Sequence, residues 1–355
     1  MKCSLCCFLV LILCTSILVF IYSGNYTLLF VPHANDWWER ISSKNKPRTV
    51  PIASQQPSPD PTSSSMTIEP QWEEPGPFHV AYPGKYHFIL DEPDACIAQS
   101  PFLVLMVPVA PQNLAARDAI RWTWGNESLV LGKTVRLFFM LGLPSGAEAE
   151  RLQEEVYRER AEHHDLLQSN FLDSYCNLTI KTIMMLEWVA SRCPNTPYGM
   201  KIDSDMFLNV HNLVAMLQAF SQPQHNYLTG YVGRNRTVVR ERKSKWYLPV
   251  DVYPENTYPP YTFGFGYVFS IDLAGKIVEA SKKIRPLYIE DVHVGLCLKN
   301  LGISPTEPSS PSLFKVYPPV PFNRCHYASA ITTIMNSPAH LIQCWEDLHK
   351  PGPPC

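Results

Sequence analysis

Past about Cys96, short apolar runs alternate with helix-forming stretches, and this alternation restricts the architecture more than any other feature of the chain. Residues 102–107 (FLVLMV) have the unbroken apolar character of a buried strand. Residues 113–123 follow with good helix formers, then a second strand at 135–140 and a charged helix from 148 to about 163. Residues 178–190 read as an amphipathic helix, 198–202 as a third strand and 212–220 as a helix. Strands near 227–232 and 267–270 and a final helix near 292–300 complete the pattern. Alternating strands and helices imply an α/β sheet with helices on both faces. Ligands of such sheets sit outside the carboxyl ends of the strands, which is where chemistry is to be sought.

The N-terminal part has a different texture. Residues 3–32 carry no formal charge, and their apolar portion, residues 6–22 (CCFLVLILCTSILVFIY), approaches the ~17–25 residues needed to cross a bilayer. A cleaved signal peptide is the alternative, but the run ends in Ile21 and Tyr22 without a small-x-small site at its edge. The expectation is a tail at 1–5, a signal-anchor transmembrane helix at 6–22, a lumenal stem at 23–95 and a folded domain at 96–355. Residues 42–77 of the stem are rich in Pro, Ser, Thr and Gln and bury too little apolar surface to offset ordering entropy. Lys2 is the one charged side chain before the span, and it points the N-terminus to the cytosol.

Four sequons begin at Asn25, Asn126, Asn177 and Asn235. Asn25 lies too close to the membrane, which leaves Asn126, Asn177 and Asn235 as glycosylation acceptors. Seven cysteines follow the span: Cys96, Cys176, Cys193, Cys297, Cys325, Cys344 and Cys355. With no C-x-x-C pair, disulfides are favoured over zinc. The odd count requires that one stay free or pair with another chain. A formal net charge of −2 gives no basic surface for nucleic acid.

Three constellations could carry chemistry. The third strand runs into Asp203-Ser-Asp205, two carboxylates at its carboxyl end that would point to opposite sides of an extended chain. Such oxygen ligands suit Mg²⁺ or Mn²⁺ bridging to a diphosphate; an Asp-rich turn is the plain alternative. Glu290-Asp291 opens the last helix, either as its N-cap and first-turn acids or as a general base for an attacking hydroxyl. Arg117 and Arg121 share one helix face, which suits diphosphate recognition or a solvated surface pair. No P-loop, dinucleotide fingerprint, G-x-S-x-G or H-E-x-x-H is present.

Read in order, RDAIRWTWG (117–125), FLDSYCNLTIKT (171–182), KIDSDMFLN (201–209), SKWYLPVDVYP (244–254), GYVFS (266–270) and EDVHVGLCL (290–298) resemble the β-1,3-galactosyltransferase family, glycosyltransferase family 31. The resemblance spans roughly 102–345. It implies a Rossmann-like GT-A nucleotide-sugar domain, a type II Golgi membrane protein with a lumenal catalytic domain, Mn²⁺ dependence and an inverting mechanism. It implies UDP-galactose as donor and a glycan acceptor ending in GlcNAc or GalNAc, with galactose placed on the 3-hydroxyl. Asp205 would be the principal metal ligand, Asp203 would assist at the nucleotide, and Asp291 would be the base. Arg117 and Arg121 would lie by the UDP moiety, and Trp246, Gly264, Gly266 and Glu290 would shape the sugar pockets.

Three departures stand out. Family members usually carry a metal-binding His nine residues after the cysteine matching Cys325; here Ile334 stands there, with His326 or His340 as substitutes only if the chain is rearranged. Residues 261–267 (YTFGFGY) replace the usual F-C-S-G-T-G-Y, so Thr262 removes a cysteine and Phe265 adds a side chain near the donor sugar. Cys176 sits where an aromatic is common. Two other readings therefore stand beside the galactosyl one: transfer from UDP-GlcNAc, and a silent member that binds glycans or stabilises a partner. The stem and unpaired cysteines leave open a homodimer, or a hetero-oligomer with other glycosyltransferases.

Overall fold

The computed structural model of the chain describes residues 78–97 and 100–355. The expected tail, span and most of the stem lie outside these residues. Among the described residues no helix is long and apolar enough to cross a membrane.

The strands are β1 (Phe88–Leu90), β2 (Leu103–Pro108), β3 (Leu129–Val130), β4 (Lys133–Leu143), β5 (Leu166–Leu172), β6 (Tyr198–Ile202), β7 (Met206–Leu208), β8 (Leu228–Gly233), β9 (Tyr261–Ser270) and β10 (Thr332–Ile334). The helices are α1 (Leu114–Trp122), α2 (Ala149–His163), α3 (Leu178–Arg192), α4 (Val210–Gln218), α5 (Ile271–Ser281), α6 (Glu290–Asn300), α7 (Arg324–Ser329) and α8 (Pro338–Leu348). One sheet runs β1-β5-β4-β2-β6-β9-β8, with β3 hairpinned onto β4. The four central strands are parallel; β1 pairs antiparallel with β5 on one edge, and on the other β9 pairs antiparallel with β6 and β8 antiparallel with β9. A separate two-stranded sheet pairs β7 with β10.

The central strand shows why its sequence is apolar without a break. All six residues of β2 are buried, with Val104 and Met106 in one core cluster and Leu103, Leu105 and Val107 in the other. Successive side chains of a strand face opposite ways, so a strand covered on both sides must be apolar at every position. One cluster is completed by residues of α3, α5 and α6, the other by residues of α1, α4 and α8. Helices thus cover both faces, as the alternation implied.

Three expectations need correction. Residues 78–95 belong to the folded body rather than to a stem: β1 pairs with β5, and the Phe78 ring packs against Tyr247 and Tyr288. α3 is not amphipathic, since it is buried from Thr179 through Leu186 and again at Trp188 and Val189. Residues 203–205 form a turn between β6 and β7 instead of an extended segment.

Candidate active site

The seam where β6 meets β9 gathers the carboxylates. β6 is buried at all five positions, and one backbone bond beyond its end, from Asp203 N to Phe265 O at 3.0 Å, holds the start of the turn. On the opposite strand the β8–β9 register shifts between Gly230 and Val232, where Tyr267 and Thr262 are the partners. A bulge of this kind re-aims the residues it releases. The residues between those partners are Phe263, Gly264, Phe265 and Gly266, and of these Gly264 faces Glu290 and Asp291 at the start of α6.

Lys201 organises the seam. Its side chain is buried, and Nζ donates to Asp203 Oδ1 at 2.6 Å, to the Gly264 carbonyl, and to Glu290 Oε2 at 3.5 Å. Burial alone would depress the ammonium, but Asp203 and Glu290 hold it well above the usual lysine range. Glu290 Oε1 accepts from the buried Tyr267 hydroxyl at 2.8 Å. One lysine thereby ties the turn after β6 to the first residue of α6.

Asp291 stands next to that knot. Its Oδ2 accepts the Gly264 N–H at 2.9 Å and its Oδ1 the Val292 N–H at 2.8 Å. Desolvation, followed by the Glu290 charge, raises its carboxyl to about 7 despite these donors and Lys201. Gly264 is required by contact: a Cβ there would lie 2.9 Å from Glu290 Oε2 and 3.4 Å from Asp291 Cβ. Its N–H serves Asp291 while its carbonyl serves Lys201.

Asp205 is exposed to solvent, and crowding by protein followed by the Asp203 charge raises its carboxyl. The rim near these groups comes from two loops. Tyr175, in the 3-10 turn Tyr175–Asn177, is crowded by protein and feels the charges of Asp291 and Asp203, which together push its phenol up to about 12. Trp246 is half exposed. Gly266 lies apart from the carboxylates, since a Cβ there would meet Met200 and Thr332.

The arginine pair does something other than expected. Arg117 is buried and makes a two-pronged pair with Glu159, Nε to Oε1 at 2.7 Å and Nη2 to Oε2 at 2.6 Å, while also donating to the carbonyls of Ala110 and Pro111. Arg121 reaches Glu159, Asp165 and Asp118. Burial would raise the Glu159 carboxyl, but the two guanidiniums hold it below its usual range. These donors fasten α1 and the loop after β2 to α2, so the diphosphate role expected of Arg117 and Arg121 gives way to a structural one.

The sequons also differ among themselves. Asn126 and Asn235 are exposed. Asn177 is partly buried at the start of α3, with Nδ2 donating to Leu172 O at 2.8 Å, and the Thr179 hydroxyl of its sequon is buried against Leu287 O. Of the cysteines, Cys96–Cys193 and Cys325–Cys355 are bridged, while Cys176, Cys297 and Cys344 are free. Cys297 is buried in α6, which packs on β9, the strand where Thr262 stands.

Asp203 and Asp205 in the turn are the candidate oxygen donors for a divalent cation. No group of three or more His, Cys, Asp or Glu side chains that could hold a metal occurs among the described residues. β10 passes alongside, with Ile334 opposite Met206 and Met335 N donating to Asp205 O at 2.7 Å, but Ile334 offers no donor. His326 Nε2 is paired with the Thr333 hydroxyl and His340 Nδ1 accepts the Asn336 N–H, and neither histidine joins Asp203 and Asp205 in a group of three metal-ligating side chains among the described residues. Asp205 and the second oxygen of Asp203 still fit Mn²⁺ or Mg²⁺ in a site where phosphates and water complete the coordination, since such ions are commonly held by one or two carboxylates plus substrate phosphates.

Comparison with known proteins identifies the family. A family profile described as Galactosyltransferase matches residues 115–309, which contain every residue of the carboxylate seam. The chain is 44% identical to β-1,3-galactosyltransferase 2 of Homo sapiens over 274 residues, 76% of this chain and 64% of the relative. It is 39% identical to β-1,3-galactosyltransferase 1 of Mus musculus over 267 residues, 75% of this chain and 79% of the relative. It therefore spans just under two thirds of the length of the first of these and more than two thirds of the second. The chain belongs to the β-1,3-galactosyltransferase family.

Proposed function

We propose that the protein transfers galactose from UDP-galactose to the 3-hydroxyl of a terminal GlcNAc or GalNAc on a glycoprotein or glycolipid, with inversion at the anomeric carbon. The names of the relatives support the reaction class. The observation that carries the reading is Asp291: a carboxyl raised to about 7 and tied through Gly264 and Lys201 to the Asp203–Asp205 turn. A base tuned near neutrality takes a proton most effectively at that pH.

On this reading Asp291 accepts the proton of the acceptor hydroxyl as its oxygen bonds to the anomeric carbon. The bond from that carbon to the diphosphate breaks on the opposite face and UDP leaves. Glu290 stays bound to Tyr267 and Lys201 and keeps the base in place. Bound Mn²⁺, held by Asp205 and Asp203, would supply Lewis-acid stabilisation of the departing diphosphate. Exposed Trp246 and Tyr175 offer flat faces beside the carboxylates for a sugar ring.

The carboxylates at the end of β6, a strand of a parallel central sheet, fit a GT-A domain. The two disulfides fit an oxidising lumen, and the apolar run at 6–22 fits a Golgi signal anchor of type II topology. UDP-GlcNAc is the alternative donor. That no group of three metal-ligating side chains occurs among the described residues favours a second reading, a silent member that binds glycans or a partner.

The test is to incubate the purified full-length protein with Mn²⁺, a panel of UDP-sugars and acceptors, measure UDP release and determine the linkage formed. Acceptor-dependent release from UDP-galactose with a β-1,3 product is the expected result. A folded protein that turns over no donor with any acceptor would establish the silent reading instead.

A further inference from the structure

A donor diphosphate needs cationic donors as well as a metal. Most cations near the carboxylate seam are already committed. Lys201 serves Asp203 and Glu290, Lys181 serves Asp173 and the Val109 carbonyl, and the Arg117 and Arg121 guanidiniums serve Glu159 and Asp165. Lys245 differs from all of these. It is exposed, and its ammonium lies over two ring faces, 4.8 Å from the Trp246 centroid and 5.9 Å from that of Tyr175. Aromatic faces attract a cation without using its N–H donors as a carboxylate would.

The position of Lys245 is fixed by its backbone. The Tyr288 hydroxyl donates to the carbonyls of Lys245 and Tyr247, and Phe78 packs against both Tyr288 and Tyr247. Tyr288 precedes Glu290 and Asp291 by a few residues, so the loop with Lys245 and the helix with the base are secured at one point. Tyr175 borders the same space, since the charges of Asp291 and Asp203 reach it, and the Lys245 charge acts on Asp205.

We propose that Lys245 is the cation that meets the diphosphate of the nucleotide-sugar donor, held over Trp246 and Tyr175 and facing the Asp203–Asp205 turn. The proposal rests on the donor reading above and adds a residue to it. Lys245 would donate to a phosphate oxygen and help neutralise the leaving group, where the described residues form no group of three metal-ligating side chains to share that task.

The test compares UDP, UMP and uridine binding by isothermal titration, with Mn²⁺ present, for the wild-type protein, Lys245→Met and Lys245→Arg. A charge-assisted hydrogen bond is worth about 10- to 100-fold in affinity. Lys245→Met should weaken UDP by that factor, UMP by less and uridine not at all, and Lys245→Arg should recover most of the loss. Thermal unfolding should be unchanged, because the side chain is exposed. UDP binding of wild-type strength in Lys245→Met would overturn the proposal and leave the donor reading standing. A loss seen only in acceptor KM would overturn it too, by assigning Lys245 to the acceptor. Absence of UDP binding by the wild-type protein would bring down the donor reading and this proposal together.

Discussion

A carboxyl in water ionises near pH 4 and is a weak base at neutrality. Asp291 escapes that limit because it is crowded by protein and lies beside Glu290, which together raise it to about 7. Asp291→Asn should lower transfer by about 10²- to 10⁴-fold, the usual contribution of a positioned base, while calorimetry finds UDP binding intact. For the wild type, kcat/KM should rise with pH up to about 7 and level off above it, since the base must be deprotonated. Stability has the opposite sign. The folded pKa lies above the unfolded value, so the native state binds more protons between about pH 4 and 7 and loses stability as pH rises through that window. Asn removes this pH-dependent cost but keeps only one of the two oxygens that accept the Gly264 and Val292 N–H groups, so the prediction lies in the trend. The melting temperature of wild type minus that of Asp291→Asn should fall as pH rises from about 5 to 8, and a difference that stays constant or grows would mean that folding does not raise the Asp291 carboxyl. The sequence already pointed to Asp203, Asp205 and Asp291, because carboxylates at strand and helix ends are local signals. Lys201 was also visible as a lone charge in the apolar run YGMKI, but besides nearby Asp203 its partners lie on β9 and α6 and no spacing rule reaches them.

The elements were legible where a pattern persists. The strand at 198–202 matches β6, the helix at 148–163 nearly matches α2, and the runs at 102–107 and 113–123 match β2 and α1 within a residue or so. Most of the elements missed are short or mixed, although the eleven-residue α8, beyond the helix taken as the last, was missed as well. β7 and β10 have three residues each, too few for any period, and β5 (LLQSNFL) breaks its apolar run with buried Gln168 and Ser169. Gly275 sits inside α5, and an interior glycine weakens a helix signal. The arginine pair shows the same limit: its common face was readable, but Glu159 and Asp165 lie 42 and 44 residues away in sequence from Arg117 and Arg121. Arg117→Leu leaves Glu159 buried beside Arg121 alone. Breaking a buried pair in this way costs about 3–5 kcal/mol. Urea unfolding should register that loss while UDP affinity of the folded protein stays at the wild-type level. A selective loss of UDP binding with unchanged stability would return Arg117 to the donor site.

At the scale of the molecule, the site depends on chain segments that meet only after folding, and the two disulfides constrain that search unequally. Cys96–Cys193 joins the segment before β2 to the end of α3 and closes a span of 97 residues; Cys325–Cys355 closes a span of 30 around α7, β10 and α8. Loop-closure entropy grows with the logarithm of span, giving about 4.7 kcal/mol for the longer loop and about 3.6 kcal/mol for the shorter. The longer bridge also encloses β2, β4, β5 and α3, the framework on which β6 and its carboxylate turn are laid. Replacing Cys96 and Cys193 together with Ala should therefore lower the melting temperature by about 10 °C or more. Replacing Cys325 and Cys355 should lower it less. The second change should, however, be felt at the site first, because α7 leads into β10, and the N–H of Met335 just after that strand holds the Asp205 carbonyl. Differential scanning calorimetry read beside Mn²⁺–UDP affinity separates the two: the long bridge should govern unfolding and the short one the carboxylate turn. An equal loss of donor affinity in both double variants would mean that the turn is positioned by the fold as a whole and owes nothing particular to the C-terminal segment.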